Sequence, residues 1–242
     1  MRIVSLVPSI TETLFDFGLN YEHVVGRTKF CIHPKNEVEK VPIIGGTKNL
    51  NIEKIKALKP DLIIANKEEN VKEQVEELMK NFDVMLTNIE TIEDNYYFIK
   101  SIGRLLHQEE KAQKFYLKAY ESLYENKASK PYKIAYLIWK EPYMTVGNDT
   151  FIHHILTELG LDNQFKNQNR YPEIQVTDLE KAEIILLSSE PYPFKEKHLD
   201  ELKVQFPTRK ILLVDGEAFS WFGTRIAKCG NYYKELLHEI EN

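Results

Sequence analysis

Two stretches in different halves of the chain carry the same ordered pattern: an acid, four apolar residues, two polar residues and a Glu. The first is Asp61-Leu62-Ile63-Ile64-Ala65-Asn66-Lys67-Glu68 and the second is Glu183-Ile184-Ile185-Leu186-Leu187-Ser188-Ser189-Glu190. An unbroken apolar run of that length fits a parallel strand buried on both faces. Each run is preceded by a short helical pattern and followed by another helix, so each half reads as strand-helix alternation around a parallel sheet. Buried parallel strands resemble one another, which is one account of the echo. The other account is a pair of similar lobes facing one cleft, with the polar residues at the C-terminal strand ends where open α/β sheets hold ligands.

The rest of the chain is read around those two strands. Ile3 to Val7 is a strand, followed by a helix whose capping box is Ser9-Ile10-Thr11-Glu12 and whose C′ residue is Gly18. Val24-Val25 is a short strand, Asn51 caps a helix to Leu58, Asn70 to Phe82 is a helix and Asp83 to Leu86 a strand. Thr91 to about Leu106 and Glu109 to about Lys127 are helical, with Ala112, Phe115, Ala119 and Leu123 at helical spacing and no strand pattern among them. The alternation then restarts, with strands at Lys133–Trp139, Glu183–Ser188 and Lys210–Asp215. Helices are expected at Asp149–Leu159, Lys195–Phe206 and Gly223–Ile240. The expected architecture is α/β, two parallel-sheet lobes joined by a long rigid helix with a ligand cleft between the lobes. Residues 1–90 form the first lobe, 91–130 the helical connector and 131–242 the second lobe.

With 242 residues, 43% hydrophobic and 29% charged, the chain can bury a sizeable core without staples. A formal charge of -5 argues against a nucleic-acid partner. No apolar run is long enough to predict a membrane span. Cys31 and Cys229 fall in different expected lobes and are not expected to pair. Met1-Arg2 runs directly into a strand with no leader pattern, so the chain as written reads as cytoplasmic; if a leader has been removed, it reads as periplasmic or cell-surface.

Several segments carry candidate chemistry. The amides around Ser9 at a helix start can hold an anion, although on local evidence alone a plain N-cap explains them better. Lys29-Phe30-Cys31-Ile32-His33 is the most chemically loaded loop. Cys31 and His33 can place two soft ligands near one metal, but no further Cys or His pair lies nearby to complete a structural site. That leaves open a metal-handling protein or enzyme using Cys31 and His33, with Lys29 or Glu68. Gly45-Gly46-Thr47-Lys48 lacks the phosphate-loop spacing and argues against nucleotide hydrolysis, while Gly46 lets a ligand approach the backbone. Trp139, Tyr143, Phe219 and Trp221 fall just beyond strands and are candidate ligand walls; loop packing is their ordinary alternative. Acids near the starts of the helices that follow the echoed strands, Glu68, Glu73, Glu190 and Glu196 among them, complement helix dipoles or dock a basic partner. A pure interaction module without a ligand remains a third reading.

Taken in order, Arg2 to Ser9, Val25-Gly26-Arg27, Val41-Pro42-Ile43-Ile44-Gly45-Gly46 and Ile55 to Ile64 resemble the cobalamin- and iron-siderophore-binding family of ABC-transporter substrate-binding proteins, over nearly the whole chain. The resemblance implies the helical-backbone, class III periplasmic-binding-protein fold and no catalysis. It implies a corrinoid (cobalamin-like) or ferric siderophore ligand with no covalent cofactor. The residues expected to bind the ligand are Ser9, Lys29, Phe30, Cys31, Gly46, Thr47, Asn66, Glu68, Trp139, Tyr143, Tyr171, Phe219, Trp221 and Arg225. A monomer is expected, docking an ABC permease through Glu73, beside Lys72 at the matching position, and through Glu196. Thr47, Asn66 and Ala218 stand where tryptophans are expected of vitamin-binding members, with Phe30 retained and Trp221 in compensation.

Overall fold

The computed structural model describes every residue from Met1 to Asn242, and the chain divides into two compact units. Unit 1 comprises Met1–Ile89, Glu93–Tyr116 and Phe222–Arg225; unit 2 comprises Glu90–Ile92, Leu117–Trp221 and Ile226–Asn242.

Unit 1 begins with β1 (Ile3–Ser5), α1 (Pro8–Asp16), β2 (Val24–Arg27) and α2 (Lys35–Val38). A small hairpin, β3 (Gly45–Gly46) and β4 (Asn49–Leu50), leads to α3 (Ile52–Leu58), β5 (Leu62–Asn66), α4 (Lys72–Met79) and β6 (Val84–Thr87). The main sheet has the order β2-β1-β5-β6 and all its pairings are parallel. Ile63, Ile64 and Ala65 are completely buried because β5 is a central strand, which is what the unbroken apolar run anticipated. Asn51 caps α3 as expected, its side chain accepting from the Lys54 amide at 2.9 Å. The expected capping box at Ser9 is not what starts α1. Val7 is the N-cap with no side-chain bond and Pro8 opens the helix, where its missing N–H costs nothing.

The helical connector consists of two helices, α5 (Ile92–Leu105) and α6 (Glu109–Tyr124), at the two helical stretches the sequence indicates. His107 takes a left-handed φ of 54° between them and turns the chain. The two helices meet, with Tyr96 and Tyr116 ring centroids 4.7 Å apart. A Cβ on Gly103 would lie 2.4 Å from the Ala112 Cβ, so glycine is what lets the helices meet.

Unit 2 repeats the plan. Its strands are β7 (Lys133–Leu137), β8 (Tyr143–Met144), β9 (Asp162–Asn163), β10 (Glu173–Ile174), β11 (Ile184–Ser188) and β12 (Lys210–Val214). Its helices are α7 (Phe151–Glu158), α8 (Glu196–Gln205), α9 (Gly216–Ser220) and α10 (Gly230–Glu241), with a 3-10 segment at Val176–Lys181. The main sheet, β12-β11-β7-β9, is again parallel, and β8 and β10 form a separate antiparallel pair. The strand that opens each sheet (β1, β7) lies between the next sheet strand (β2, β9) and the echoed strand (β5, β11), and the last strand (β6, β12) closes the far edge. The two sheets therefore share one topology, and the echoed strands occupy equivalent central positions. Ala135, Leu137, Ile185, Leu187, Leu199, Leu202 and Ile211 belong to the core of this unit.

The expected closing helix from Gly223 is also divided. Gly223–Lys228 is a 3-10 segment, and α10 starts only after Cys229. The first part of that segment is built into unit 1. Gly223 has a φ of +81°, and a Cβ there would fall 2.1 Å from Thr13 Oγ1. The Gly223 amide donates to Asn95 Oδ1 and the Thr224 amide to Thr13 Oγ1, while the Phe222 and Phe98 rings meet edge-on at 5.3 Å. Arg225 Nε lies 2.9 Å from Glu12 Oε2, with the two side chains only 14% and 5% exposed.

Removing one member of so buried an ion pair leaves its partner uncompensated. Arg225→Met should lower unfolding stability by about 3 kcal/mol or more. Combining it with Glu12→Leu should restore most of the loss. Urea unfolding of the three proteins, read as a thermodynamic cycle, measures both effects.

Candidate functional site

Side chains that leave the C-terminal ends of parallel strands are the natural functional group of such a sheet. In unit 1 these are the loop after β2, the β3–β4 hairpin and the turn after β5. The Lys29 amide donates to the Gly45 carbonyl at 2.8 Å, which fixes the loop against the hairpin. Phe30 is 49% exposed, and Lys29 Nζ stands over its ring, 5.0 Å from the centroid. Gly46 lies directly beneath, since a Cβ there would come 3.3 Å from the Phe30 ring and 3.6 Å from Lys29 Cε. Lys29, Phe30 and Gly46 are thus brought together at one accessible edge.

Thr47 and Asn66 are buried and have structural work. Asn66 Oδ1 accepts from the Glu68 and Glu69 amides at 2.9 and 3.1 Å, and its Nδ2 donates to Thr87 Oγ1 at 3.1 Å. Asn70 Oδ1 accepts the Asn66 amide, and its Nδ2 donates to the Leu6 and Thr47 carbonyls. Asn66 therefore positions the Glu68 turn. Glu68 itself is half-buried, with Lys48 donating to its carbonyl. Burial lifts the neighbouring Glu69 carboxyl above its usual range, against the pull of Lys48.

Three other expected site residues of unit 1 are engaged internally. Ser9 is buried, and its carbonyl accepts from Thr13 Oγ1 at 2.8 Å. Arg225 is held in the ion pair with Glu12. Cys31 is 1% exposed, with Sγ 3.0 Å from Thr11 Oγ1 and 3.2 Å from Thr28 Oγ1. Burial pushes its thiol up from the usual value, opposite to what a thiolate ligand or nucleophile needs. His33 is half-buried, and no group of three or more His, Cys, Asp or Glu side chains among the described residues is arranged to hold a metal. Cys31 instead joins a hydroxyl cluster that ties the loop to α1.

In unit 2 the corresponding edge is aromatic. Trp139, just beyond β7, is 40% exposed and meets the Tyr192 ring edge-on with centroids 5.5 Å apart. Tyr143 in β8 is half-buried, and burial raises its phenol, offset by Lys140. Tyr171 is half-buried under the Arg170 guanidinium, 5.6 Å from its ring centroid. Phe219 and Trp221, expected as ligand walls, are both packed inward. Phe219 is completely buried, 5.1 Å from the Tyr136 ring, because it lies on the inward face of α9. Trp221 is 7% exposed, and its indole N–H donates to Glu190 Oε1 at 2.9 Å, an oxygen that Ser220 Oγ also reaches. Glu190 thus ties the loop after β12 to the loop after β11, a role that neither dipole compensation nor docking described.

Tyr192 and His198 are residues the sequence reading missed. A signal for Tyr192 was present: it sits just beyond an echoed strand, the same criterion that selected Trp139. His198 gave no comparable signal, since its contact depends on how α8 packs. It is buried, and its Nδ1 accepts from the Lys195 amide at 3.0 Å. Desolvation first, then Lys140 and Lys197, lower its pKa from the usual 6.5. Glu73 and Glu196 are exposed in the first turns of α4 and α8, the helices that follow β5 and β11. Depressions of about 560 Å³ beside Arg27, Pro42 and Leu58 and about 630 Å³ beside His153 and Asn163 lie elsewhere and include none of these strand-end residues.

The sequence of residues 3–190 matches the family described as periplasmic binding protein. The vitamin B12-binding protein of Salmonella typhimurium (strain LT2) is 31% identical over 181 residues, which covers 73% of this chain and 66% of that protein, just under two thirds of its length. Among solved structures, the periplasmic vitamin B12-binding protein BtuF of Vibrio cholerae superposes with a TM-score of 0.82 over 100% of this chain and 98% of its own, at 18% identity. A possible iron-binding (periplasmic solute-binding) protein from Staphylococcus epidermidis superposes with a TM-score of 0.80 over the same shares, at 25% identity.

His198 also sets a pH dependence. Its folded pKa lies below the unfolded value of 6.5, so the stability tied to its neutral form is complete above pH 6.5 and is lost as pH falls through the folded value. His153, lowered mainly by desolvation and by His154, works in the same sense. Thermal melting from pH 7.5 down to about pH 5 should therefore show a falling midpoint, and His198→Gln, which cannot charge, should flatten part of that slope.

Proposed function

Because the chain belongs to the periplasmic binding protein family, we propose that it binds a corrinoid or a ferric chelate without transforming it. The observation that carries this reading is the 31% identity, over 73% of the chain, to a vitamin B12-binding protein. The strand-end edges support it. Phe30 over Gly46 offers unit 1 an accessible ring beside a bare stretch of backbone, and Trp139 with Tyr143 and Tyr171 offers unit 2 an aromatic surface. Broad apolar contact with a few placed polar groups is the usual lining for a large, flat ligand. Asn66 fixes the turn after β5, and Trp221 through Glu190 fixes the loop after β11.

Delivery to an ABC permease is part of the same proposal. Glu73 and Glu196 are its docking acids, one at the start of each helix that follows an echoed strand. The chain then works as a monomer outside the cytoplasmic membrane. No helix is long and apolar enough to cross a membrane itself.

The chain has two tryptophans, which makes the test direct. Cyanocobalamin, cobinamide and ferric siderophores are titrated against the protein while tryptophan fluorescence is followed, with calorimetry in parallel. Binding should quench the exposed Trp139 and leave the enclosed Trp221 little changed, so Trp139→Phe should remove most of the signal. Phe30→Ala should weaken affinity by a few-fold to about tenfold, the scale of one stacking contact. Absence of heat and of quenching with every probe would sink the assignment.

A further inference from the structure

Tyr192 emerges from the turn after β11 beside Trp139, which emerges after β7, so both stand at the C-terminal edge of adjacent strands. Its position is over-determined. Its amide donates to the Ile138 carbonyl at 3.3 Å, its ring meets Trp139 at 5.5 Å and 67°, and Phe194 packs edge-on at 4.8 Å and 62°. The hydroxyl oxygen has one partner among the described residues, His198 Nε2 at 3.4 Å.

The direction of that contact follows from the other side of the imidazole. His198 Nδ1 receives the Lys195 amide proton at 3.0 Å, so Nδ1 must carry a bare lone pair. In the neutral ring the proton then sits on Nε2 and points at Tyr192 Oη. A phenol oxygen that accepts from His198 keeps its own proton for another acceptor. The charged groups around the imidazole, Lys140, Lys195, Lys197 and Glu201, are three cations and one carboxylate, and that carboxylate is engaged with Lys140. This surrounding keeps the ring neutral and the direction fixed. The result is a half-buried aromatic whose donor is unspent and whose orientation is set from behind.

We propose that Tyr192 is a specificity-determining hydrogen-bond donor of the ligand surface, positioned by His198, and that it takes a carboxamide or carboxylate oxygen carried at the rim of a flat apolar ligand. The proposal rests on the ligand-binding reading above and deepens it by naming the group recognised. Trp139 supplies stacking area, and Tyr192 reads whether an acceptor lies beside it. Lys195 and His198 act on the ligand only through the phenol.

The experiment uses the full chain and calorimetry with cyanocobalamin and cobinamide, both of which carry peripheral carboxamides. Tyr192→Phe keeps the ring and should weaken binding about three- to tenfold, the range of one neutral hydrogen bond, with the melting temperature unchanged. His198→Leu, which cannot donate to the phenol, should lose a similar factor. His198→Gln, which offers an acceptor to Lys195 and a donor to Tyr192, should retain near-wild-type affinity. The Tyr192→Phe/His198→Leu pair should lose no more than the larger single change. Wild-type affinity in Tyr192→Phe, or equal losses in His198→Gln and His198→Leu, overturns the assignment of Tyr192 while leaving ligand binding standing. Failure of the unaltered protein to bind either probe overturns the ligand-binding reading and this proposal with it.

Discussion

Desolvation of two central strands is the constraint on which the rest of the structure depends. β5 and β11 give up almost every contact with water, so each backbone amide and carbonyl must find a partner on a neighbouring strand. That requirement brings β1 and β6 to one strand and β7 and β12 to the other, and it leaves only the ends of each run free to turn polar. Asn66 and Ser188 occupy equivalent places there, and both bond to the turn two residues on: Asn66 accepts the Glu68 amide, and Ser188 donates to the Glu190 carbonyl. The strand ends are stiff because their first polar side chains are spent on backbone.

The same economy separates residues that hold the candidate surface from residues that form it. Phe30, Trp139, Tyr143, Tyr171 and Tyr192 retain exposed or half-exposed ring area. Asn66, Glu190, Phe219 and Trp221 are spent on internal bonds and packing, so their loss would act by moving a neighbour. Binding surfaces need such a rear rank, since an aromatic wall that could rotate would lose entropy on meeting its ligand. Gly46 contributes in the opposite manner, by leaving out a side chain that would lift Phe30 from the backbone.

Much of the fold was legible in the sequence because burial writes itself as periodicity. The apolar run at Leu62–Ala65, its counterpart at Ile184–Leu187 and the Asn51 cap all appear where the residues placed them. What was not legible depended on contacts distant in the chain. Nothing local to Ser9-Ile10-Thr11-Glu12 reveals that Glu12 is reserved for Arg225, so a capping box was the natural inference. The break between α5 and α6 was legible as a gap in the helical spacing, but the left-handed φ at His107 that turns the chain there was not. The site followed the same rule. That Trp139 and Tyr192 both stand just past a strand is legible locally, whereas whether Phe219 points inward is decided by Tyr136 and α10, away from it in sequence.

The insertion of Phe222–Arg225 into unit 1 has a consequence for the order of assembly. A ribosome makes the chain from its N-terminus, and domains commonly fold as they emerge. Unit 1 cannot do so completely, because four of its residues are translated after nearly all of unit 2. Until they arrive, Glu12 lacks the guanidinium that neutralises it, and Asn95 and Thr13 lack the amides they accept. The early half of the polypeptide must therefore wait, partly formed, for the late half, and the two cannot be inherited, excised or exchanged as separate modules without cutting through one of them.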